Sequence, residues 1–98
     1  MLEQQLVQFL DIENTDYWFD YGSDMARKLI DENTDQIFTL ILSEWRKWPK
    51  IRQEHLAYIL GEGYSNKEFE LIKEMMSSEY NDVVYHAKEA LIDFNQRT

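Results

Sequence analysis

The 98-residue chain has no cysteine, one proline, three glycines and only ten basic residues. Without cysteine there is no disulfide, no thiolate zinc site and no cysteine nucleophile, so the core alone must hold the fold. A chain of this length buries such a core as one domain, expected over residues 1–98. The scarcity of Gly and Pro removes most turn punctuation, and no alternating β-branched run bounded by turns is present. No apolar run approaches the roughly 20 residues of a membrane span. Met1-Leu2-Glu3-Gln4-Gln5 has neither the basic nor the apolar region of a secretory signal. A cytoplasmic, soluble protein is the expectation.

The shortage of basic residues also narrows the partners. Nineteen acids against ten bases give a net charge of −9. Nucleic acids and anionic membranes are disfavoured, because both are bound through clustered Lys and Arg. The charge is uneven as well. Residues 1–24 hold Glu3, Asp11, Glu13, Asp16, Asp20 and Asp24 and no Lys or Arg. Such a pole attracts a basic partner; solubility alone is the other reading of the acidity.

What is present is helical periodicity and aromatic bulk. The hydrophobic share, 44%, with three Trp, six Tyr and five Phe, argues against disorder. Six helices are expected. The first spans about residues 2–12 and carries Leu2, Leu6, Phe9 and Leu10 on one face. The second starts near Asp16 or Tyr17, ends near Asp31 and carries Trp18, Met25 and Leu29. Gly22 lies in line with that stripe, so either the helix starts later or the backbone there packs closely. Asn33 or Thr34 caps a third helix with Ile37, Phe38, Ile41, Leu42 and Trp45. Pro49 opens the fourth, which Gly61 or Gly63 ends. Ser65-Asn66-Lys67-Glu68 is a capping box for the fifth, with Phe69, Ile72 and Met76. Asn81 or Asp82 caps the sixth, whose stripe is Val83, Ala87, Ala90, Leu91 and Phe94.

Catalytic and metal motifs are missing. His55 and His86 have no metal-type partner three or four residues away. His55 reads as a packed or bridging side chain, and His86 as a surface or edge residue. Asp31-Glu32-Asn33-Thr34-Asp35 imitates a calcium loop, but Gln36 and Leu42 occupy its Gly and Glu positions. Gly61-Glu62-Gly63 lacks the further Gly and the Lys of a phosphate loop. No cofactor, no metal and no enzymatic activity are expected.

Two aromatic segments stand out. Asp16-Tyr17-Trp18-Phe19-Asp20-Tyr21-Gly22-Ser23-Asp24 interleaves four aromatics with three carboxylates. One helical face cannot bury all four rings. Trp18 and Phe19 suit the core, while Tyr17 and Tyr21 suit its wet edge or a partner. In Trp45-Arg46-Lys47-Trp48-Pro49-Lys50 the cations are expected to pair with the chain's own acids.

A shift of 32 residues lays the fourth helix on the sixth: Ile51 on Val83, His55 on Ala87, Tyr58 on Ala90 and Ile59 on Leu91. With this spacing, residues 34–96 resemble HEAT-like repeats. Asn81-Asp82-Val83-Val84-Tyr85-His86-Ala87-Lys88-Glu89-Ala90-Leu91 is similar to the second helix of such a unit, and Trp48-Pro49-Lys50-Ile51-Arg52 opens the fourth helix in the same style. Val84 departs from the pattern, where Arg is usual. The resemblance implies an all-α fold of stacked antiparallel helix pairs, an α-α superhelix. The pairs would be residues 1–32, 34–63 and 65–96.

A small, acidic, cysteine-free helical chain also resembles the immunity proteins of bacterial contact-dependent and other polymorphic toxin systems. That resemblance implies a partner, a basic toxin domain such as a nuclease, whose active site is covered. The expected partner-binding residues are Asp16, Tyr17, Asp20, Tyr21 and Asp24, with Trp48, Glu54, Glu62, Tyr85 and Glu89. Tyr85 and Ile92 lie opposite the last helix's core stripe and mark either a partner face, a dimer contact or surface scatter. A general helical-repeat adaptor with several partners is the alternative, followed by a small-ligand carrier or enzyme.

Overall fold

Helix boundaries follow local capping chemistry in a computed structural model that describes residues 1–97. Thr98, the last residue of the expected domain, lies outside the described residues. Helix α1 is Leu2–Leu10. Asn14 then caps α2, its side chain accepting the Tyr17 N–H at 2.8 Å. Helix α2 covers residues 15–32 without a break: Thr15–Tyr17, a π turn at Trp18–Gly22, then Ser23–Glu32. One non-helical residue, Asn33, separates it from α3, Thr34–Glu44. A 3₁₀ turn, Trp45–Lys47, leads through Pro49 into α4, Lys50–Ile59. Helices α5, Asn66–Met75, and α6, Asn81–Arg97, complete the chain. The described residues form six helices and no strand, the expected all-α class.

Capping differs from expectation in three places. Asn33 and Thr34 do not cap α3 with their side chains. The Asn33 amide donates to the Leu29 carbonyl at 3.0 Å, and the Thr34 hydroxyl faces the Ile30 and Asp31 carbonyls. With one residue between helices, the orphan carbonyls ending α2 claim both side chains. At α5, Ser65 accepts the Lys67 N–H at 3.1 Å, but Glu68 does not close the box. Its carboxylate is wholly buried elsewhere. Helix α6 begins at Asn81 itself, with the Tyr80 carbonyl accepting the Val84 N–H.

Helix α4 is central: it packs against α6, α1 and α2. Helix α6 also lies on α5, which in turn packs against α3. The radius of gyration, 12.1 Å, is close to the roughly 13 Å of a compact chain of about this length. The buried face of α2 is Trp18, Gly22, Ala26 and Ile30, while the expected Met25 and Leu29 are only half-buried. The buried faces of α4 and α6 match with a shift of 30, not 32: Gln53 with Val83, Ala57 with Ala87, Leu60 with Ala90. In the 32-residue alignment Tyr58 meets Ala90, yet Tyr58 is 47% exposed and Ala90 3%.

The polar centre of the fold is Arg27. Its guanidinium donates to both Glu68 oxygens at 2.9 Å, to Asp31 Oδ1 at 2.7 Å and to the Ile59 carbonyl at 3.1 Å. Glu68 Oε2 also accepts the Gly61 N–H at 2.7 Å. Burial opposes the arginine's charge, but hydrogen bonds and attraction from Glu68 and Asp31 outweigh it, so its pKa is raised. Gly61 is fixed by its backbone, with φ +99° and a Cβ position that would meet the Ala90 oxygen at 2.7 Å. Arg97 of α6 donates to the Gly61 and Gly63 carbonyls and closes the loop from outside.

Replacing Arg27 with Met is expected to lower unfolding stability by about 3–5 kcal/mol, because Glu68 is left as an unpaired buried charge. The double variant Arg27→Met/Glu68→Gln should recover much of that loss in urea titrations. A cost below about 1 kcal/mol for the single variant would show that the pair does not constrain the fold.

Candidate functional site

The π turn decides which aromatic of α2 is buried. The Ser23 N–H reaches back to the Trp18 carbonyl, five residues away, and the Ser23 hydroxyl donates to the Phe19 carbonyl at 3.1 Å. Trp18 goes inward and is 2% exposed, whereas Tyr17, Phe19 and Tyr21 remain 40–52% exposed. Gly22 is required beneath them, since a Cβ there would lie 2.7 Å from Ile12 Cδ1 and 2.8 Å from Trp18 Cε3. Close packing, the second reading of Gly22, is therefore the one realised.

Trp18 stacks on His55 of α4, with ring centroids 3.9 Å apart and planes within 7°. The His55 Nδ1–H donates to the Leu10 carbonyl at 2.7 Å, tying α4 to the end of α1. Arg52, one turn earlier, grips Asp11 through two hydrogen bonds of 2.9 and 2.8 Å. His55 is thus the packed, bridging side chain expected. Its pKa is lowered: burial penalises the imidazolium, and the Leu10 hydrogen bond only partly offsets this.

Over this base runs a row of partly exposed rings from three helices. Phe19 of α2 meets Tyr58 of α4 edge-on at 5.3 Å. Tyr58 meets His86 of α6 at 5.8 Å and 86°, and His86 meets Tyr85 at 5.5 Å. Tyr58 borders three hollows. The largest, about 730 Å³, lies between α2, α4 and α6 and is edged by Asp24, Asp31, Glu32, Glu62 and Asp93. The second, about 220 Å³, includes Glu54, and the third, about 310 Å³, includes Glu89 and Asp93. Seven carboxylates therefore edge the row, against two cations, Arg27 and Lys28, of which Arg27 is held by Glu68 and Asp31. Tyr85 donates its hydroxyl to Glu89, which raises the phenol's pKa.

Of the residues expected from sequence, Asp24, Glu54, Glu62, Tyr85 and Glu89 come together here. Asp16, Asp20, Tyr17 and Tyr21 are exposed on α2. Tyr17 stacks on Tyr21 at 5.0 Å, and Tyr21 meets Phe9 of α1 edge-on at 6.0 Å, forming a separate step toward α1. Trp48 is a correction. It is 5% exposed, part of the core, with Arg52 above its ring at 5.4 Å. The extended residue between the 3₁₀ turn and α4 points its ring inward. Phe19, expected in the core, is instead 48% exposed. Sequence pattern alone does not mark Phe19, Tyr58, His86 or Asp93 for binding. Of these, Tyr58 was hidden by the 32-residue alignment, which gave it a core position. Lys47 and Lys50 pair with Glu44 and Asp82, as expected of their segment, whereas Arg46 lies over the Trp45 ring and donates to the Ser77 hydroxyl.

Among the described residues, no group of three His, Cys, Asp or Glu side chains is placed to hold a metal ion, and no helix is long and apolar enough to cross a membrane. Compared with protein-family models, curated proteins and solved structures, the chain matches none.

The lowered His55 pKa carries a pH dependence. The unfolded chain binds a proton at this group near pH 6.5, more readily than the folded chain does. The stability this group contributes is thus present above pH 6.5 and falls as pH drops below it. Between pH 7.5 and 5.5 the thermal midpoint of the native chain should decline more than that of His55→Gln. Parallel declines would show that His55 titrates alike in both states.

Proposed function

We propose that the chain is a protein-binding module for a basic partner, and that it works as an immunity protein neutralising a toxin domain in the cytoplasm. The observation that carries this reading is the row Phe19, Tyr58, His86 and Tyr85, left partly exposed among seven carboxylates. Exposed rings provide a desolvated anchor, and surrounding charge of one sign steers an oppositely charged partner and fixes its orientation. A nuclease active site is basic because it binds phosphate, so a surface of this kind suits it. Inhibition is steric and electrostatic, and the chain performs no chemistry. On this reading α3 to α6 act as two HEAT-like helix pairs that hold the face rigid.

The test begins with the protein retained by the immobilised chain at low salt and released at high salt. Expressed alone, that protein should stop growth, and co-expression of the chain should restore it. A partner harmless by itself removes the immunity reading. The triple variant Asp24→Asn/Glu62→Gln/Asp93→Asn should slow association by about tenfold or more at low ionic strength and flatten its salt dependence. Tyr58→Ala should act instead on dissociation, with at least about tenfold weaker binding. Unchanged kinetics in both variants would place the interface elsewhere.

A further inference from the structure

The second hollow differs from its neighbours in kind. Its lining is Thr15, Trp18, Phe19, Glu54, His55, Tyr58 and His86, with five aromatic rings and one carboxylate. The rings belong to three helices and stand at steep angles to one another. Phe19 and Tyr58 meet at 62°, Tyr58 and His86 at 86°, and Trp18 and Tyr58 at 59°. Trp18 and His55 form one flat, stacked unit among them. At about 220 Å³ the hollow is the smallest of the three that Tyr58 borders, with room for the end of one long side chain.

The polar groups favour one charge. Because the Leu10 carbonyl takes the Nδ1–H, neutral His55 carries its lone pair on Nε2. No protein group is hydrogen-bonded to that nitrogen, yet no buried side-chain nitrogen or oxygen of the described residues lacks a partner, so Nε2 is open to solvent. Burial disfavours protonation of the ring, which favours its role as an acceptor. The hollow thus offers π faces, the His55 acceptor and one carboxylate, which together favour a cation.

We propose that this hollow is a socket for the cationic end of an arginine or lysine side chain. The inference rests on the reading of the face as a docking surface for a basic protein, and it names the group that anchors there. The planar guanidinium of arginine lies against rings and is weakly hydrated, so arginine is the preferred occupant and lysine the weaker one. Glu54 supplies the charge-assisted contact at the rim. Tyr58, shared with the acidic groove, places the socket at its edge.

The test needs only the isolated chain and small probes. Nα-acetyl-arginine methylamide, the lysine analogue and the uncharged norleucine analogue are titrated separately while NMR follows the Trp18 indole and the backbone amides of residues 54–58. Arginine should give saturable shifts centred on Trp18 and His55 with millimolar affinity, lysine weaker ones, and norleucine none. Glu54→Gln should weaken the arginine probe at least about threefold, and Tyr58→Leu should abolish its binding. Glu70→Gln, on exposed α5 surface, should change nothing. Each variant's amide spectrum checks that it folds. Equal shifts from norleucine would make the hollow a plain apolar cleft, and no saturation by arginine would overturn the socket outright. Either result leaves the acidic groove standing, because its role is read separately from salt-dependent association with the partner.

Discussion

Arg27 and Glu68 set the geometry on which the rest of the molecule depends. A carboxylate with no solvent exposure is tolerable only when charge and hydrogen bonds are both satisfied, and Glu68 obtains both from Arg27 and the Gly61 N–H. The requirement is mutual and joins three elements at one point. Arg27 comes from α2, Glu68 from α5, and the Ile59 carbonyl that Arg27 also holds ends α4. Ile59 follows Tyr58 directly, and Arg27 lies two turns beyond Phe19 on the same helix. The buried pair therefore fixes the spacing between the two rings that begin the exposed row. Hydrophobic packing supplies most of the drive to collapse, but it is non-directional. The ion pair supplies direction.

The basic residues explain why one face is so acidic. Eight of the ten make ion pairs, hydrogen bonds or ring contacts within the chain: Arg27, Arg46, Lys47, Lys50, Arg52, Lys67, Lys73 and Arg97. Most of them brace helix junctions away from the aromatic row. Arg52 holds α1 to α4, Lys50 holds α4 to α6, and Lys67 reaches α3 from α5. Positive charge serves internal fastening, and six carboxylates without an ion pair among the described residues, Asp24, Glu32, Glu54, Glu62, Glu89 and Asp93, lie around Phe19, Tyr58 and Tyr85. The net charge of −9 thus understates the local field there.

Much of the architecture was readable from periodicity, and the failures have specific causes. Stripes such as Leu6 with Leu10, Ile37 with Ile41, and Val83 with Ala87, Ala90 and Phe94 are buried as their spacing requires. Where a polar residue is buried, periodicity is silent: no local spacing marks Arg27 and Glu68 as partners, because 41 residues separate them. The capping-box pattern at Ser65 misled for the same reason, since a local use of Glu68 competed with a distant one that won. At the candidate site, the acidic and aromatic content of α2 was visible, but the π turn was not. It changes which ring faces inward without changing composition, so Phe19 was placed in the core. Trp48 was misplaced the other way, because a short non-helical link has no period from which to judge its facing. HEAT-like character and the toxin partner rest on resemblance and on the surface chemistry together.

The π turn also makes α2 a helix with two angular phases. Trp18, Gly22, Ala26 and Ile30 recur every four residues, and on a pure α-helix that spacing drifts by about 40° per step. The i to i+5 bonding at Trp18 accommodates an extra residue in the first of those steps and limits the accumulated drift. Tightening the turn to uniform α-geometry with every residue kept would leave the helix intact. It would also rotate everything on its N-terminal side by about 100° about the axis relative to Ala26 and Ile30. Composition, charge and helix content would be almost untouched, yet Tyr17 and Trp18 would face new directions. The aromatic display is therefore encoded in the hydrogen-bond register of one turn as much as in residue identity.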